Sequence, residues 1–274
     1  MNELLDNPAV QAGVAPFVLA LIVAAVLGRT RLLGLAIGAG FLTVVVLVMG
    51  LSFESLTSVK KMVLLGFFAT AAVLMLESTG VKADRRTRAV IAVLVGATAV
   101  WVILRVLQQQ PLGAALLAGA AAALYAVLLV DGTVAVGGDP VRSSSAALML
   151  GLGSGALALL GASAMLAQIG IAVGAASGAT LLVQMIAGRR AAVGWTLALP
   201  ASVIAALTGL LSVFTGELRW YCLLPTLAIP WATRLVPAGA RAVWLTAFLT
   251  AFAALIPMLL AAGLAWFAAA APST

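Results

Sequence analysis

The sequence predicts an all-α protein, a polytopic bundle of about ten transmembrane helices forming a single integral-membrane domain over residues 1–274. Three observations carry this expectation. First, 64% of residues are hydrophobic and the mean hydropathy is +1.22, which is more apolar surface than a water-soluble fold can hide. Second, all 15 Lys and Arg and all 8 Asp and Glu lie at or near the ends of long apolar runs, where a charge escapes the hydrocarbon. Third, the runs number about ten, each close to the roughly 20 residues that cross a 30 Å hydrocarbon layer.

The elements follow in order from where charges and breakers fall. A first helix over 9–27 opens after Pro8 and is closed by Arg29 and Arg31; a second follows over 32–50. The loop Leu51–Val59 with Glu54, then Lys60 and Lys61, precede a third at 62–76, which Glu77 ends. The basic loop Lys82–Arg88 leads into a fourth at 89–107, with Arg105 near its end, and a fifth at 112–130 stops at Asp131. Asp131–Arg142, the longest polar stretch, separates it from a sixth at 144–166. No charge divides the sixth from a seventh at 169–188, so length decides. Ser143 to Gly188 is 46 residues, about 69 Å of helix and more than twice the hydrocarbon thickness. A turn near Gln168–Gly170 is the expected break. The remaining helices are expected at 192–214, 219–234 and 242–268.

Charge gives an independent check. Loops after odd-numbered helices hold Arg29, Arg31, Lys82, Arg85, Arg86, Arg88, Arg142, Arg189, Arg190, Arg234 and Arg241, eleven against the four of Lys60, Lys61, Arg105 and Arg219. Positive residues favour the cytoplasmic side, so both termini are expected outside the cytoplasm, across a cell inner (cytoplasmic) membrane. Fusing the sixth and seventh helices would erase the asymmetry. Trp195, Trp231 and Trp244 fall near one set of helix ends, and Trp220 and Trp266 near the other, as interfacial anchors do. Trp101 lies deeper and reads as filler.

Ten spans allow a five-plus-five inverted repeat, 9–130 against 144–268, a plan common among secondary transporters. Gly34-Leu35-Ala36-Ile37-Gly38-Ala39 and Gly170-Ile171-Ala172-Val173-Gly174-Ala175 are the local match. The layout of short spans and tiny loops resembles that of the drug/metabolite transporter superfamily. The likeness is one of architecture, carried by no motif, and the outside N-terminus departs from it.

Composition excludes much chemistry. The chain has no His and one cysteine, Cys222, which rules out an internal disulfide, Cys- or His-based metal sites, the usual haem ligation and Ser-His catalysis. No metal, cofactor or enzymatic activity is expected. The net charge of +7 is scattered through short loops, the pattern of orientation signals rather than of nucleic-acid binding. The absence of mid-helix charge argues against a proton relay, voltage sensor or charged-ring channel. Met1–Asn7 carries Glu3 and Asp6 and no basic residue, unlike a cleavable signal peptide. The lipid bilayer is the expected partner, with a membrane-protein partner or a second copy as further candidates.

Few residues carry functional signal. Glycines four apart (Gly34/Gly38, Gly151/Gly155, Gly170/Gly174, Gly174/Gly178) let helix backbones approach closely, for static packing or for sliding. Gly151-Leu152-Gly153-Ser154-Gly155 lies inside an apolar span and is no phosphate loop. Gln184 is the most polar side chain within a span and needs partners; Thr180 shares its face. Pro200, Pro225, Pro230 and Pro257 interrupt late helices. The ninth, with Pro225 and Pro230, is about 24 Å long as α-helix and so short of the membrane thickness, the best candidate for a broken helix beside a cavity. The Lys82–Arg88 loop can attract anionic headgroups. The candidate solute-contacting or helix-packing residues are therefore Gln184, Thr180, Pro225, Pro230 and Pro200. Two functions suit the pattern: a carrier or flippase for a neutral or partly apolar small solute or lipid, and a non-catalytic scaffold subunit of a larger membrane complex.

Overall fold

The computed structural model describes residues 7–50, 56–81, 84–190, 194–237 and 242–270. The expectations placed on Glu3, Asp6, Glu54, Lys82 and Arg241 lie outside these residues. The described chain is all helix and turn, without strands. Among the described residues, nine helices are long and apolar enough to cross a membrane: α1 Val10–Leu27, α2 Arg31–Met49, α3 Ser58–Ser78, α4 Arg85–Leu107, α5 Leu112–Ala135, α6 Pro140–Leu160, α7 Ala164–Ala187, α8 Gly194–Phe214 and, closing the described chain, α10 Val243–Ala270. Between α8 and α10 lies α9, residues 220–235, built as Trp220–Ala228, Ile229–Ala232 and Thr233–Leu235. The protein is thus an integral membrane bundle of about ten spans, and the lipid bilayer is its solvent.

The α9 segment corrects the expected short helix. A proline ring clashes with the carbonyl four residues back in an α-helix, which for Pro225 and Pro230 means Tyr221 and Thr226. The first nine residues and the last three adopt the tighter i→i+3 winding instead, and only Ile229–Ala232 is α-helical, with Pro230 in its first turn, where no N–H is needed. That winding rises about 2.0 Å per residue rather than 1.5 Å, so the segment reaches about 30 Å. Neighbours confirm the length. Just before α9, the Glu217 N–H donates to Gly161 O just past the end of α6 (3.2 Å). Just after it, Val236 O accepts from Arg142 near the start of α6 (2.6 Å). The segment therefore runs the whole length of the 21-residue α6.

Helix starts are fixed by side-chain caps, each a local oxygen satisfying first-turn N–H groups. Thr57 caps α3, Asp84 caps α4 and Asp139 caps α6. These caps lengthen three helices beyond the expected bounds. Lys60 and Lys61 fall in the first turn of α3, Arg85–Arg88 in that of α4 and Arg142 in that of α6, while Asp131 lies in the last turns of α5.

The turn between the sixth and seventh helices is at 161–163 rather than Gln168–Gly170, and Gln168 lies inside α7. Gly161 leaves the helix, Ala162 takes a left-handed φ of 62°, and the Ser163 N–H returns to Ala158 O. The displacement has a packing cause. It sets Gly151 and Gly155 of α6 directly against Gly170 and Gly174 of α7: a Cβ on Gly151 would stand 2.6 Å from Gly174 Cα, and one on Gly170 the same distance from Gly155 Cα. The backbones of α6 and α7 therefore touch, the close approach that glycines four apart permit.

Burial grades from centre to rim. The membrane-length window of α8 is 89% buried and that of α6 72%, against 22% for α1. The core is largely Ala, Leu, Ile and Val, with Phe41 and Met62 fully enclosed, while the rim shows lipid-facing side chains such as Ile22, Leu117, Phe248 and Phe252. Trp220, Trp231, Trp244 and Trp266 are exposed at helix ends, whereas Trp195 is buried rather than an interfacial anchor.

Candidate functional site

Loops after odd-numbered helices meet at one end of the bundle. Arg189 donates to Gly28 O (3.4 Å), and the Thr196 hydroxyl to Arg31 O (2.9 Å). Glu77 at the end of α3 accepts the Trp195 backbone N–H (2.8 Å), and the Trp195 indole donates to Val81 O (3.0 Å). Trp195 is buried because its N–H sits in this junction, and Glu77 is an interhelical cap for α8 rather than a solvated end; neither has a local sign in the residues around it.

At the same end, on the side of α4, α5, α6 and α9, is a charged centre. Arg88 faces Asp131 (3.8 Å). Asp139 faces both Arg142 (3.8 Å) and Arg190 (3.3 Å). Arg234 stacks over the Trp231 ring (4.2 Å) within electrostatic reach of Arg88, Arg142 and Asp131. Four guanidinium groups thus answer two carboxylates. The Nε atoms of Arg88 and Arg142 are buried without a hydrogen-bond partner among the described residues. These positions were legible only as orientation charges; their convergence is set by helix packing.

One turn deeper runs a polar seam. The Gln184 side-chain amide donates to Ser144 Oγ (2.8 Å) and Thr180 O (3.3 Å), and the Thr180 hydroxyl donates to Ser144 Oγ (3.3 Å). Ser145 Oγ shares a hydrogen bond with Thr250 Oγ1 of α10 (2.8 Å). Gln184 and Thr180 are buried, facing protein rather than lipid. Gln184 Oε1 and Ser143 Oγ are buried acceptors with no hydrogen-bond partner among the described residues. The signal missed in the sequence was the run Ser143-Ser144-Ser145 opening an apolar helix.

A half-open cavity of about 560 Å³ lies between α5, α8 and α9 on the lipid-facing rim, with Leu117, Leu124 and Trp220 among its exposed walls. Its walls are apolar: Leu117, Leu124 and Leu128 from α5, Leu210 and Phe214 from α8, Leu224 and Leu227 from α9. Its principal polar feature is Tyr125, whose hydroxyl shares a hydrogen bond with Thr226 Oγ1 (2.9 Å). The Thr226 hydroxyl also reaches Leu223 O (2.6 Å), within the turn containing Pro225. Cys222 is a buried free thiol.

The structure thus brings Gln184 and Thr180 together on α6–α7, and sets Pro225 and Pro230 on α9 near the cavity. Pro200 is buried within α8. The five do not form one pocket. At the opposite end of the bundle, Lys61 is buried: its ammonium donates to Trp101 O (3.1 Å) and sits 4.6 Å from the Trp101 ring centre, so Trp101 is a cation partner rather than filler. Among the described residues, no group of three His, Cys, Asp or Glu could hold a metal ion.

Comparison of the chain with protein-family models, with curated proteins and with solved structures finds no match in any of the three.

Proposed function

We propose that this integral membrane protein is a non-enzymatic carrier or flippase for a partly apolar small solute or lipid, set in a bacterial inner membrane with its arginine-rich end in the cytoplasm. The observation that carries the reading is the α5–α8–α9 cavity. At about 560 Å³ it is in the usual size range of ligand pockets. One wall is the span whose backbone departs most from α-helix, and irregular backbone at membrane depth is tolerated where it is buried in protein or lines a cavity. The seam around Gln184 supports it, because Gln184 Oε1 and Ser143 Oγ are acceptors that a moving solute can use in a rearranged state.

The competing reading is a scaffold subunit. It draws on the lipid-facing side of α10, where Phe248 and Phe252 stack at 6.4 Å and are both exposed, a surface a partner helix could cover.

The test is reconstitution of the purified chain in vesicles with a fluorescent lipid or apolar solute. A carrier moves the probe, Ala121→Trp slows it by filling the cavity mouth, and Gln184→Leu impairs it. A scaffold moves nothing and leaves mild detergent with other subunits attached. Absence of movement together with stoichiometric partners would overturn the carrier reading.

A further inference from the structure

We infer that the seam along α5 and α9 is a binding site for an anionic phospholipid, its phosphate at the arginine centre and an acyl chain in the apolar cavity. The inference rests on the carrier reading for its purpose but on separate observations for its chemistry.

The two halves of the site adjoin. On α5 the cavity wall ends at Leu128, three residues and about 4.5 Å of rise from Asp131. On α9 it ends at Leu227, one turn before Trp231, and the Trp231 indole lies 3.4 Å from where a Cβ on Gly132 of α5 would stand. An apolar trough therefore leads into the charged centre along the same helix pair. The cavity runs from Leu128 and Leu227 to Phe214 and Trp220 at the opposite end of the bundle. Leu117 stands about 21 Å of rise from Asp131, so a chain lying in the cavity from the arginine centre reaches beyond one leaflet of a roughly 30 Å core.

The charge is complementary to a phosphate. Arg88, Arg142, Arg190 and Arg234 exceed Asp131 and Asp139 by two positive charges. Asp139 and Val236 O already engage Arg142 and Arg190. Arg88 reaches Asp131 of α5 (3.8 Å), and Arg234 of α9 is exposed with its guanidinium carbon 4.2 Å from the Trp231 ring centre. Planar guanidinium groups bind phosphate oxygens through paired N–H donors, and an exposed Trp at a helix end suits the headgroup zone. A zwitterionic or neutral lipid would leave the excess charge unanswered; an inorganic phosphate would leave the trough unused.

The experiment uses the full chain in mild detergent, with retained lipid read by native mass spectrometry and apparent dissociation constants by titration. The probes are phosphatidylglycerol, phosphatidylcholine and inorganic phosphate. Phosphatidylglycerol is expected to bind at least tenfold more tightly than phosphatidylcholine. Arg234→Gln and Arg88→Gln each weaken it about fivefold, the effect of roughly one interfacial cation, whereas Arg29→Gln, at the same end but on the α1–α2 loop, changes it little. Ala121→Trp weakens phosphatidylglycerol and not inorganic phosphate. Equal binding of the two lipids, an Arg29→Gln effect as large as that of Arg234→Gln, or indifference to Ala121→Trp would each overturn the site. Selective binding without lipid movement in vesicles would sustain the site and remove the carrier reading; movement without selectivity would do the reverse.

Discussion

Gly151→Ala offers the sharpest test of how α6 and α7 are joined. The new Cβ would lie 2.6 Å from Gly174 Cα, backbone rather than a movable side chain, so nothing local can yield. Relief to an ordinary carbon–carbon contact of about 3.5 Å requires the helices to part by about 1 Å. A gap of that size forfeits a quarter to a half of each dispersion well it opens, and it would open along a seam shared by Gly155, Gly170 and Gly174. Overpacking usually costs about 1–3 kcal/mol, and a backbone-to-backbone clash belongs at the upper end. Parting α6 from α7 would also lengthen the 2.8 Å hydrogen bond from Gln184 to Ser144. The control is Gly263→Ala in α10, where a Cβ meets nothing within 4 Å and helix propensity favours Ala by up to about 1 kcal/mol. Thermal unfolding of purified protein in one detergent reads both. A Tm lowered by several degrees for Gly151→Ala, with Gly263→Ala unchanged or raised, is the expected pair. Equal Tm values for the two variants would refute the backbone contact.

Other consequences follow from single contacts. Glu77→Ala removes the acceptor for the Trp195 N–H and is expected to cost about 1–2 kcal/mol, with Glu77→Gln losing less because an amide oxygen still accepts; thermal unfolding checks the order. Tyr125→Phe removes the hydroxyl pair with Thr226 and is expected to cost about 1 kcal/mol; an unchanged Tm would show that the bond contributes nothing. Asp84 is held below its ordinary value of 3.8 by hydrogen bonds from the Thr87 backbone and side chain, helped by Arg86 N–H and the Arg88 charge. Its folded pKa lies below the unfolded one, so its contribution is present above the unfolded value and lost as pH falls through the folded one. Below about pH 4 the wild type is expected to lose Tm faster than Asp84→Asn, and parallel curves would contradict this. A periplasm-active reporter fused after Gly216 is expected to be active and one fused after Gly138 silent; the reverse pattern would invert the proposed orientation.

What the sequence made legible was what the bilayer dictates. Hydrocarbon thickness sets span length and charges mark span ends, so the helices from Val10–Leu27 to Val243–Ala270 could be placed to within a few residues. Local caps at Thr57, Asp84 and Asp139 moved three helix starts by a few residues; the larger departures come from contacts between distant segments. The α6–α7 turn moved because Gly151 and Gly155 must meet Gly170 and Gly174, which length and charge could not sense. Trp195 left the interface because Glu77 and Val81 claim its two N–H groups. Gln184 and Thr180 could be singled out, since an amide inside hydrocarbon needs partners, but Ser144 as the shared acceptor depends on a helix pairing invisible in either segment. The charged centre was the least legible: Arg88, Asp131, Asp139, Arg142, Arg190 and Arg234 span nearly 150 positions of the chain.

The α9 segment joins these threads through its backbone. Pro225 and Pro230 force it out of α-helix, and the wider rise that results lets only 16 residues reach from the Gly161 end of α6 to the Arg142 end. An α-helix of that length would fall about 6 Å short. Were it anchored at Trp220, Arg234 would be drawn inward from Arg142 and Asp131; anchored at Arg234, it would carry Leu224 and Leu227 out of register with Tyr125 and Leu128. The apolar trough and the arginine centre can share one helix pair because the span between them is wound long. An α-helical winding of this segment would shift the two ends of the trough relative to each other by about the same 6 Å.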